Sequence, residues 1–592
     1  MEKRKNYFCF LFLVLLNLPL FSQSIGPQDI DLLLHQKIPT RDGIHLSANI
    51  FKPAQMNVPL PAIMVLTPYV SDHNTKRGIY FARHGYVFVS VDTRGRGNSE
   101  GVFTPFESEG KDGYDVLEWI ASQPWCNGKI GLMGGSYKGM VQWLILKENP
   151  PHLTSIAPTA TVCPGIDATR NNNIYMTFIL GKMFSLSGKT IQRLLPSSDY
   201  TKEKVKQYYT NHTQYANLLK GALETPGNHL QKVFKRWISH PTLDDYWKNM
   251  LPSPEDYAKI DIPIMVITGY FDGDQPGTMH YYTNFQKYAS KKAKSKMFLI
   301  YGPWDHGGTR RPVAELGGLN FGEASVLDIF DIHRQWFDWT MKNGKKPDFL
   351  QDNVWYFQMG SNEWKYASSL ETIANHTLTY YLSSKQKQSS DVFHSGQLTT
   401  KKANDAEPDT LMYNPLTSAF KDNYMYVNQH KNYLTDQSYI IEKGWLYYHT
   451  PVLSSDIDIA GYITLDAFIE INTPDTDFYY KLYEIKPNGD NVLLAKGLMR
   501  VRYRNSLEKA ELVEPDTVNQ YRMKSLCMLC RKVEKGSRLR LLFGYLDSPD
   551  YQKNYNSGKD VSYESGKDAR TATIKIYCNE KFPSSIEIPI FR

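Results

Sequence analysis

Short, continuous runs of apolar residues alternate with helical patterns over the first half of the chain. Four of these runs are PAIMVLT (61–67), YVFVSVD (86–92), KIGLM (129–133) and LTSIAP (153–158). A strand that is apolar at every position is buried on both faces, which is the arrangement in a mostly parallel sheet covered by helices. The segment YDVLEWIASQ, between two of these runs, carries apolar residues at helical spacing. The pattern therefore predicts an α/β fold.

The strand pattern stops at about residue 160 and resumes at about residue 257. The intervening stretch is polar and helix-like, and the apolar runs IPIMVITGY and SKMFLIYGP follow it. We expect an insertion that precedes the last strands to lie over their carboxyl ends, where such sheets bind ligands. The predicted segments are residues 23–160 and 257–345 for the α/β domain and residues 161–256 for an inserted helical cap.

Alternation of apolar and polar residues replaces that pattern from about residue 350. HTLTYYLS, DFYYKLYEI and TATIKIYC are examples, and turn residues separate such runs. Repeated short strands with one apolar face predict an all-β sandwich, which we assign to residues 350–592. The aromatic content of 13%, with 40 tyrosines, suits such a domain.

The first residues have the composition of an export signal. A basic start, MEKRK, precedes an apolar run from Tyr7 to Phe21 and then Ser22. We expect a cleaved signal peptide over residues 1–22 and a secreted or periplasmic protein. No later stretch of the sequence is long and apolar enough for a bilayer, so we expect no membrane span.

Charge and cysteine usage exclude several classes of protein. A net charge of +7 is small for 592 residues and the basic residues are scattered, so we expect no nucleic-acid partner. Beyond the signal, five cysteines remain, and an odd number does not make a disulfide framework. Cys527 and Cys530 form a C-x-x-C pair, but no second pair lies at ligand spacing, so we expect no metal site.

The segment KIGLMGGSYKGM (129–140) ends a buried strand in a glycine-rich turn that carries Ser136. A nucleophilic serine of an α/β sheet stands on such a tight turn between a strand and a helix. The motif is G-x-S-x-x-G, and Lys138 stands where the commoner G-x-S-x-G has its second glycine. Taken alone, the pattern also fits an ordinary tight turn.

Two further polar residues follow the last predicted strands of the α/β domain. Asp272 comes after IPIMVITGY, and His306 comes after SKMFLIYGP. A serine hydroxyl needs a histidine to take its proton, and the histidine needs a carboxylate to fix its tautomer. Ser136, Asp272 and His306 follow in the chain order of an α/β-hydrolase triad, each at the carboxyl end of a strand. The sequence therefore predicts these three as catalytic residues.

The motifs GGSYKG, GYFDG and GPWDH resemble the three signatures of the CocE/NonD hydrolases. This superfamily includes cocaine esterases, X-Pro dipeptidyl-peptidases and α-amino-acid ester hydrolases. DTRGRGNSEG and DGYDVLEWIASQPWCNGKIG are also similar to its N-terminal half. The resemblance implies an α/β-hydrolase domain with a helical cap and a C-terminal jelly roll, in agreement with the three regions. It also implies an oxyanion hole formed by the Tyr69 hydroxyl and the Tyr137 backbone N–H.

The resemblance leaves the substrate open among the members of the superfamily. Amino-ester hydrolases resemble D-x-E-D around the triad acid, where carboxylates hold the substrate's ammonium group. This chain has Asp272-Gly-Asp274-Gln275, with Asp167 as a third acid at uncertain register. Because Gln275 interrupts the set, we favour an acyl or aryl esterase, with an X-Pro dipeptidyl-peptidase or an amino-ester hydrolase (β-lactam acylase) as alternatives. Asp274 and Trp304 are candidate substrate-binding residues.

The predicted acyl-enzyme mechanism acts on a small-molecule ester or amide and needs no metal or cofactor. A homodimer is compatible with the sequence. A minor alternative from another class is a glycan-binding protein whose jelly roll binds the ligand and whose hydrolase domain is inert. Fold alone does not define function, and an intact triad argues against inertness.

Overall fold

The computed structural model describes residues 29–190, 197–220, 229–384, 389–403, 407–417, 433–435 and 444–592. The predicted signal peptide, residues 1–22, lies outside this part of the chain. Among the described residues, no helix is both long and apolar enough to cross a membrane.

A ten-stranded sheet forms the core of the N-terminal domain. The strands of this half are β1 (Ile30–Pro39), β2 (His45–Pro53), β3 (Leu60–Thr67), β4 (Val87–Asp92), β5 (Cys126–Gly135), β6 (Leu153–Thr159), β7 (Arg170–Asn171), β8 (Ile174–Tyr175), β9 (Ile264–Phe271), β10 (Met297–Asp305), β11 (Glu315–Leu316), β12 (Leu319–Asn320), β13 (Val354–Gln358) and β14 (Glu363–Ala367). The sheet order is β1-β2-β4-β3-β5-β6-β9-β10-β13-β14, and neighbours from β4 to β13 are parallel. The continuous apolar runs thus form the buried centre of the sheet, as predicted.

Eleven α-helices belong to the described residues. The helices are α1 (Thr75–Arg83), α2 (Glu109–Ala121), α3 (Tyr137–Lys147), α4 (Ile179–Ser185), α5 (Ser197–Thr210), α6 (Leu230–Ile238), α7 (Asp245–Lys248), α8 (Pro254–Lys259), α9 (Gln275–Tyr288), α10 (Lys291–Lys294) and α11 (Ile329–Lys342). Six of them (α1, α2, α3, α9, α10 and α11) lie outside the cap and cover this sheet or follow its strands. The inserted segment between β6 and β9 contains α4 to α8 with the short hairpin of β7 and β8. This is the helical cap that the loss of the strand pattern predicts.

The C-terminal domain is all β. Its strands are β15 (His376–Ser383), β16 (Gly396–Thr399), β17 (Asp409–Tyr413), β18 (Leu434–Thr435), β19 (Leu446–His449), β20 (Ile457–Gly461), β21 (Thr464–Ile471), β22 (Asp477–Ile485), β23 (Asn491–Arg500), β24 (Asn519–Lys524), β25 (Leu529–Val533), β26 (Arg538–Tyr545), β27 (Ala572–Tyr577) and β28 (Ser585–Phe591). Along β21 buried and half-buried side chains alternate at every position, which is the signature of a strand with one face in the core.

The boundary between the two domains differs from the sequence prediction. The segment NVWYFQMG (353–360) falls within residues 350–592, the range predicted for the sandwich, but it contains β13, which pairs in parallel with β10 of the α/β sheet. β14 then pairs with β13 in antiparallel direction and completes that sheet. The aromatic and β-branched residues of β13 favour a strand, but they do not specify which of two neighbouring sheets the strand joins.

Backbone hydrogen bonds join the two domains directly. The Met359 N–H donates to the Cys530 carbonyl at 3.1 Å, and the Lys532 N–H donates back to the Met359 carbonyl at 2.8 Å. On the cap side, the Gln552 N–H donates to the Tyr175 carbonyl at 2.7 Å. The β domain is therefore packed against both the α/β sheet and the cap.

Gly269 allows β9 and β10 to approach each other at the end of the sheet that leads to Asp272 and His306. A Cβ at this position would lie 2.1 Å from the Trp304 carbonyl oxygen. We expect Gly269→Ala to destabilise the protein by about 1–3 kcal/mol or more, because the backbone must shift to relieve the overlap. The apparent midpoint of thermal unfolding measures this effect.

Gly307→Ala is the matched control, since a Cβ there meets its nearest neighbour, Asp305, only at 3.4 Å. An unchanged unfolding midpoint for Gly269→Ala would contradict the close approach of the two strands.

Candidate active site

Ser136 occupies the sharp turn between β5 and α3 and has a strained backbone. Its φ is 63° and its ψ is −128°, a conformation that residues other than glycine rarely adopt. Such a residue costs about 1–3 kcal/mol and persists only where the surrounding structure fixes it. Here the Ser136 N–H donates to the carbonyls of Thr159 and Ala160, both at 2.9 Å, at the end of the neighbouring strand β6.

The glycine that follows Ser136 in the motif explains how α3 fits against the turn. A Cβ at Gly139 would lie 2.6 Å from Thr161 Oγ1 and 3.1 Å from the Thr159 carbonyl oxygen. A larger residue would therefore push α3 away from the end of β6. This close packing distinguishes the motif from an ordinary tight turn.

His306 and Asp272, at the ends of β10 and β9, form a hydrogen-bonded pair. His306 Nδ1 lies 2.9 Å from Asp272 Oδ1 and 3.2 Å from Asp274 Oδ2. Because Nδ1 faces two carboxylate oxygens, it is the nitrogen that carries the proton, and Nε2 is left as the basic atom. Asp272 is fully buried, and its Oδ1 also accepts the Asp274 N–H at 3.0 Å. The imidazole is thus held in one tautomer.

Ser136 lies beside this pair and lines the same pocket as His306. Its Oγ donates to Asp274 Oδ2 at 3.4 Å, so Asp274 contacts both the serine and the histidine. Serine and histidine hydrogen bonds in unliganded active sites are commonly long and tighten when substrate binds. The structure therefore brings Ser136, Asp272 and His306 close together and places Asp274 among them.

Burial and the grouped carboxylates shift the pKa values of the site. Burial raises the pKa of Asp274, although the nearby His306 acts in the opposite direction. Burial alone would lower the pKa of His306, but Asp274 and Asp272 together outweigh it, so the pKa is raised above the ordinary value. Burial, aided by Asp274, raises the pKa of Asp167 well above its usual range. Such perturbed groups in a cleft are typical of functional sites.

A pocket with about 960 Å³ of empty space, part of it open to solvent, leads to Ser136. Ser136, His306, Asp274 and Asp167 form part of its polar lining. Most of the apolar lining comes from the cap and includes Val162, Met176, Phe178, Ile179, Met183, Leu186 and Trp237. A mostly apolar cavity with a few convergent polar groups is the usual form of a small-molecule site.

Tyr69 and Tyr137, the two residues predicted for an oxyanion hole, also line the pocket. Their rings meet edge to face with centroids 6.3 Å apart. The Tyr137 hydroxyl turns away from the reacting atoms and donates to the buried carboxyl group of Glu109, whose pKa burial raises to about 7. Because Tyr137 is the first residue of α3, its backbone N–H has no partner within the helix and can act as a donor.

Trp304 does not line the pocket, which corrects its assignment as a candidate substrate-binding residue. Its side chain is only 1% exposed. The indole N–H donates to the Ser325 carbonyl at 3.0 Å, and the ring packs against Trp364. The residue precedes His306 by two positions, but its side chain points into the core between β10 and β14.

Gln275 has a role that the sequence did not reveal. Its amide oxygen accepts the Met528 N–H at 2.8 Å, and its amide nitrogen donates to the carbonyls of Met528 at 3.3 Å and Gly269 at 3.1 Å. The fully buried side chain therefore links the loop that carries Asp272 to the β domain. No local pattern could have identified this contact, because Met528 lies 253 residues further along the chain.

Asp272, Asp274 and His306 are also the described residues whose ligand atoms, within 4.8 Å of one another, could surround a metal ion. His306 Nδ1, one of the two ring nitrogens, already faces both carboxylates at hydrogen-bonding distance. An ion at this position would have to replace those contacts. The donor set therefore fits a proton relay better than a metal centre.

The fold and these side chains define a serine hydrolase of the α/β type. The family model described as X-Pro dipeptidyl-peptidase (S15 family) matches residues 42–308, and the X-Pro dipeptidyl-peptidase C-terminal non-catalytic domain matches residues 349–587. Together the two models match well over half of the chain. The chain belongs to the CocE/NonD family of hydrolases.

Three known proteins are similar to this chain over nearly its whole length. Cocaine esterase from Rhodococcus sp. (strain MB1 Bresler) is 25% identical over 581 residues, which cover 94% of this chain and 98% of that protein. An aminopeptidase from a marine sediment Thaumarchaeota archaeon has a TM-score of 0.81 at 19% identity and covers 97% and 99% of the two chains. An α-amino acid ester hydrolase has a TM-score of 0.80 at 19% identity and covers 99% and 100%. The two structural likenesses confirm the fold.

The link through Gln275 has a measurable consequence. We expect Gln275→Ala to accelerate hydrogen exchange at the Met528 amide and to lower the unfolding midpoint, because a buried donor left without its acceptor costs about 1–3 kcal/mol. Hydrogen exchange followed by mass spectrometry of the peptide that contains Met528 measures the first effect.

Gln286→Ala is the matched control, because Gln286 lies on the same helix and its amide contacts Met297 instead. Equal rates of hydrogen exchange at the Met528 amide in the wild type and in Gln275→Ala would show that this link does not hold the two domains together.

Proposed function

We propose that this protein hydrolyses carboxylic esters by way of an acyl-enzyme, with Ser136 as nucleophile, His306 as general base and Asp272 as the orienting acid. The observation that carries the proposal is the 2.9 Å hydrogen bond between His306 Nδ1 and the fully buried Asp272, with Ser136 in the same pocket. Because this hydrogen bond holds the proton on Nδ1, His306 Nε2 is the basic atom that receives the serine proton.

The reaction begins when His306 Nε2 takes the proton of Ser136 Oγ and the oxygen attacks the acyl carbonyl. The negative charge of the tetrahedral intermediate is stabilised by the Tyr69 hydroxyl and the Tyr137 N–H, and such donors each contribute about 10²–10³ in rate. His306 then gives its proton to the departing alcohol. Water, activated by the same base, hydrolyses the acyl-enzyme and releases the acid.

Asp272 and Asp274 stabilise the imidazolium that forms during each proton transfer. Both carboxylates face Nδ1, so they offset the cost of placing a positive charge in a buried position. The apolar cap residues exclude water from the acyl group, which strengthens these interactions. An ester is favoured over an amide by the similarity to cocaine esterase over nearly the whole chain.

Esters or peptides with a free amino group are the second candidate substrates. Asp274 and Asp167 both line the pocket, and paired carboxylates can hold an ammonium group. The match to the X-Pro dipeptidyl-peptidase family is consistent with this reading. Against it, Asp167 already accepts the N–H groups of Cys163 at 2.7 Å and Gly277 at 2.5 Å, and Asp274 is engaged with His306. A neutral acyl or aryl ester is therefore the first choice.

Export is part of the same proposal. The basic and apolar segment over residues 1–22 supports a secreted or periplasmic location, where small esters from outside the cell would be met.

Fluorophosphonate labelling tests the nucleophile. We expect the wild-type protein to be labelled covalently and Ser136→Ala to lose labelling and esterase activity, because the phosphonate reacts only with an activated serine. Gel fluorescence and intact mass measure the adduct, and Ser122→Ala, at an exposed serine outside the pocket, is the control. A wild-type protein that resists the probe would refute the proposal.

A comparison of substrates tests the preference. Initial rates with 4-nitrophenyl acetate, phenylglycine methyl ester and Gly-Pro-4-nitroanilide are to be measured side by side on the purified protein. We expect the acetate ester to give the highest kcat/KM. The highest value for the anilide would identify a dipeptidyl-peptidase, and the highest value for the phenylglycine ester would identify an amino-ester hydrolase.

The raised pKa of His306 predicts the direction of a pH shift. Only the neutral imidazole accepts the serine proton, so activity is lost as the pH falls through the pKa of His306. Asp274 is one of the carboxylates that raise this pKa. We therefore expect Asp274→Asn to lower it and to move the acidic limb of the kcat/KM profile to lower pH. Asp348→Asn, at an exposed surface position, is the control, and a limb that stays in place or moves to higher pH would contradict the prediction.

A further inference from the structure

Lys182 brings a positive charge into the wall of the active-site pocket. It stands on the cap helix α4, is half-buried, and lines the same cavity as Ser136 and His306. Its ammonium nitrogen lies 5.6 Å from the ring centroid of Tyr69 and 5.3 Å from that of Phe178. The two rings hold the charge beside the residue that is proposed to stabilise the oxyanion.

The ammonium group of Lys182 has unused hydrogen-bonding capacity. In the described part of the chain it forms no ion pair within 4 Å and donates no side-chain hydrogen bond. A lysine has three N–H donors, and a half-buried one without an acceptor loses part of its hydration without compensation. A ligand with an oxygen anion would supply the missing acceptors.

The carboxylates of the same pocket do not fill this need. Asp167 accepts two backbone N–H groups, and Asp274 contacts His306 Nδ1 at 3.2 Å. Lys182 influences Asp274 only through space, since its charge acts to lower the pKa of that carboxyl without a direct contact. Lys182 is thus a cation that faces the substrate cavity and repels a substrate's ammonium group from it.

We propose that Lys182 binds a carboxylate of the substrate, so that the preferred substrates are esters that carry a carboxylate group. The inference rests on the proposed esterase function and specifies its substrate class. The apolar cap residues around Lys182, such as Ile179 and Met183, contact the carbon chain between the ester and the carboxylate. The carboxylate can belong to the acyl part, as in a monoester of a short dicarboxylic acid, or to the alcohol part.

Two matched pairs of esters distinguish these sources. The acyl-side pair is 4-nitrophenyl hydrogen succinate and its neutral analogue 4-nitrophenyl methyl succinate. The alcohol-side pair is 4-acetoxybenzoate and methyl 4-acetoxybenzoate. For each pair the readout is the ratio of kcat/KM for the anionic over the neutral ester, measured on the full-length protein.

We expect Lys182→Met to lower this ratio at least tenfold in one of the two pairs, because a hydrogen bond to a charged group is lost with the cation. Lys182→Arg is expected to retain much of the ratio, since it keeps the charge. Lys345→Met, at an exposed lysine paired with Asp348, is the control for loss of a surface charge. A second ratio, kcat/KM for phenylglycine methyl ester divided by kcat/KM for 4-nitrophenyl acetate, is expected to rise in Lys182→Met. The reason is that the variant no longer repels the ammonium group of the phenylglycine ester.

Ratios that are equal in the wild type and in Lys182→Met for both pairs would overturn the inference, even if the neutral esters are hydrolysed as the proposed function requires. A wild-type protein that hydrolyses none of the esters and resists the fluorophosphonate probe would overturn the proposed function as well. The unfolding midpoint of Lys182→Met shows whether the variant is folded. If it is not folded, the test uses inhibition of fluorophosphonate labelling of the wild-type protein. Inhibition by succinate but not by its dimethyl ester supports the inference, and equal inhibition by the two overturns it.

Discussion

The positive φ of Ser136 sets the geometry on which the rest of the site depends. It turns the chain from β5 into α3 within one residue, so that the side chain stands at the carboxyl edge of the sheet and the next N–H points to the same space. The strain is held by two hydrogen bonds from the Ser136 N–H to the end of β6. The turn also needs Gly139, whose missing side chain leaves room for Thr161. The buried sheet thus stabilises a backbone that no isolated turn would keep.

Charge balance is the second organising property of the pocket. Asp272 and Asp274 favour a protonated His306, whereas burial opposes it, and the carboxylates prevail. Lys182 adds a positive charge on the cap side of the cavity that Asp274 also lines. His306 therefore lies in a pocket that carries charges of both signs. The cap consequently contributes charge as well as apolar surface to the pocket.

Much of this site follows from the sequence because parallel strands end at one edge of their sheet. Ser136, Asp272 and His306 each come directly after an apolar run, so the alignment of the strands brings them together without further information. Gln275 and Lys182 could not be interpreted in this way. The partner of Gln275 is a backbone segment of another domain, and Lys182 lies on a short cap helix with no motif around it. Their roles depend on contacts between segments that have no relationship in sequence.

The link between Gln275 and Met528 bears on how the protein matures during synthesis. A ribosome makes Met528 253 residues after Gln275, so a nascent chain that has finished its α/β domain still lacks the contact. The loop that carries Asp272 reaches its final support only when the β domain is nearly complete. Prematurely terminated chains that lack Met528 would keep Ser136, Asp272 and His306 but would lack this support. Completion of this part of the pocket therefore depends on a segment of another domain that is synthesised late.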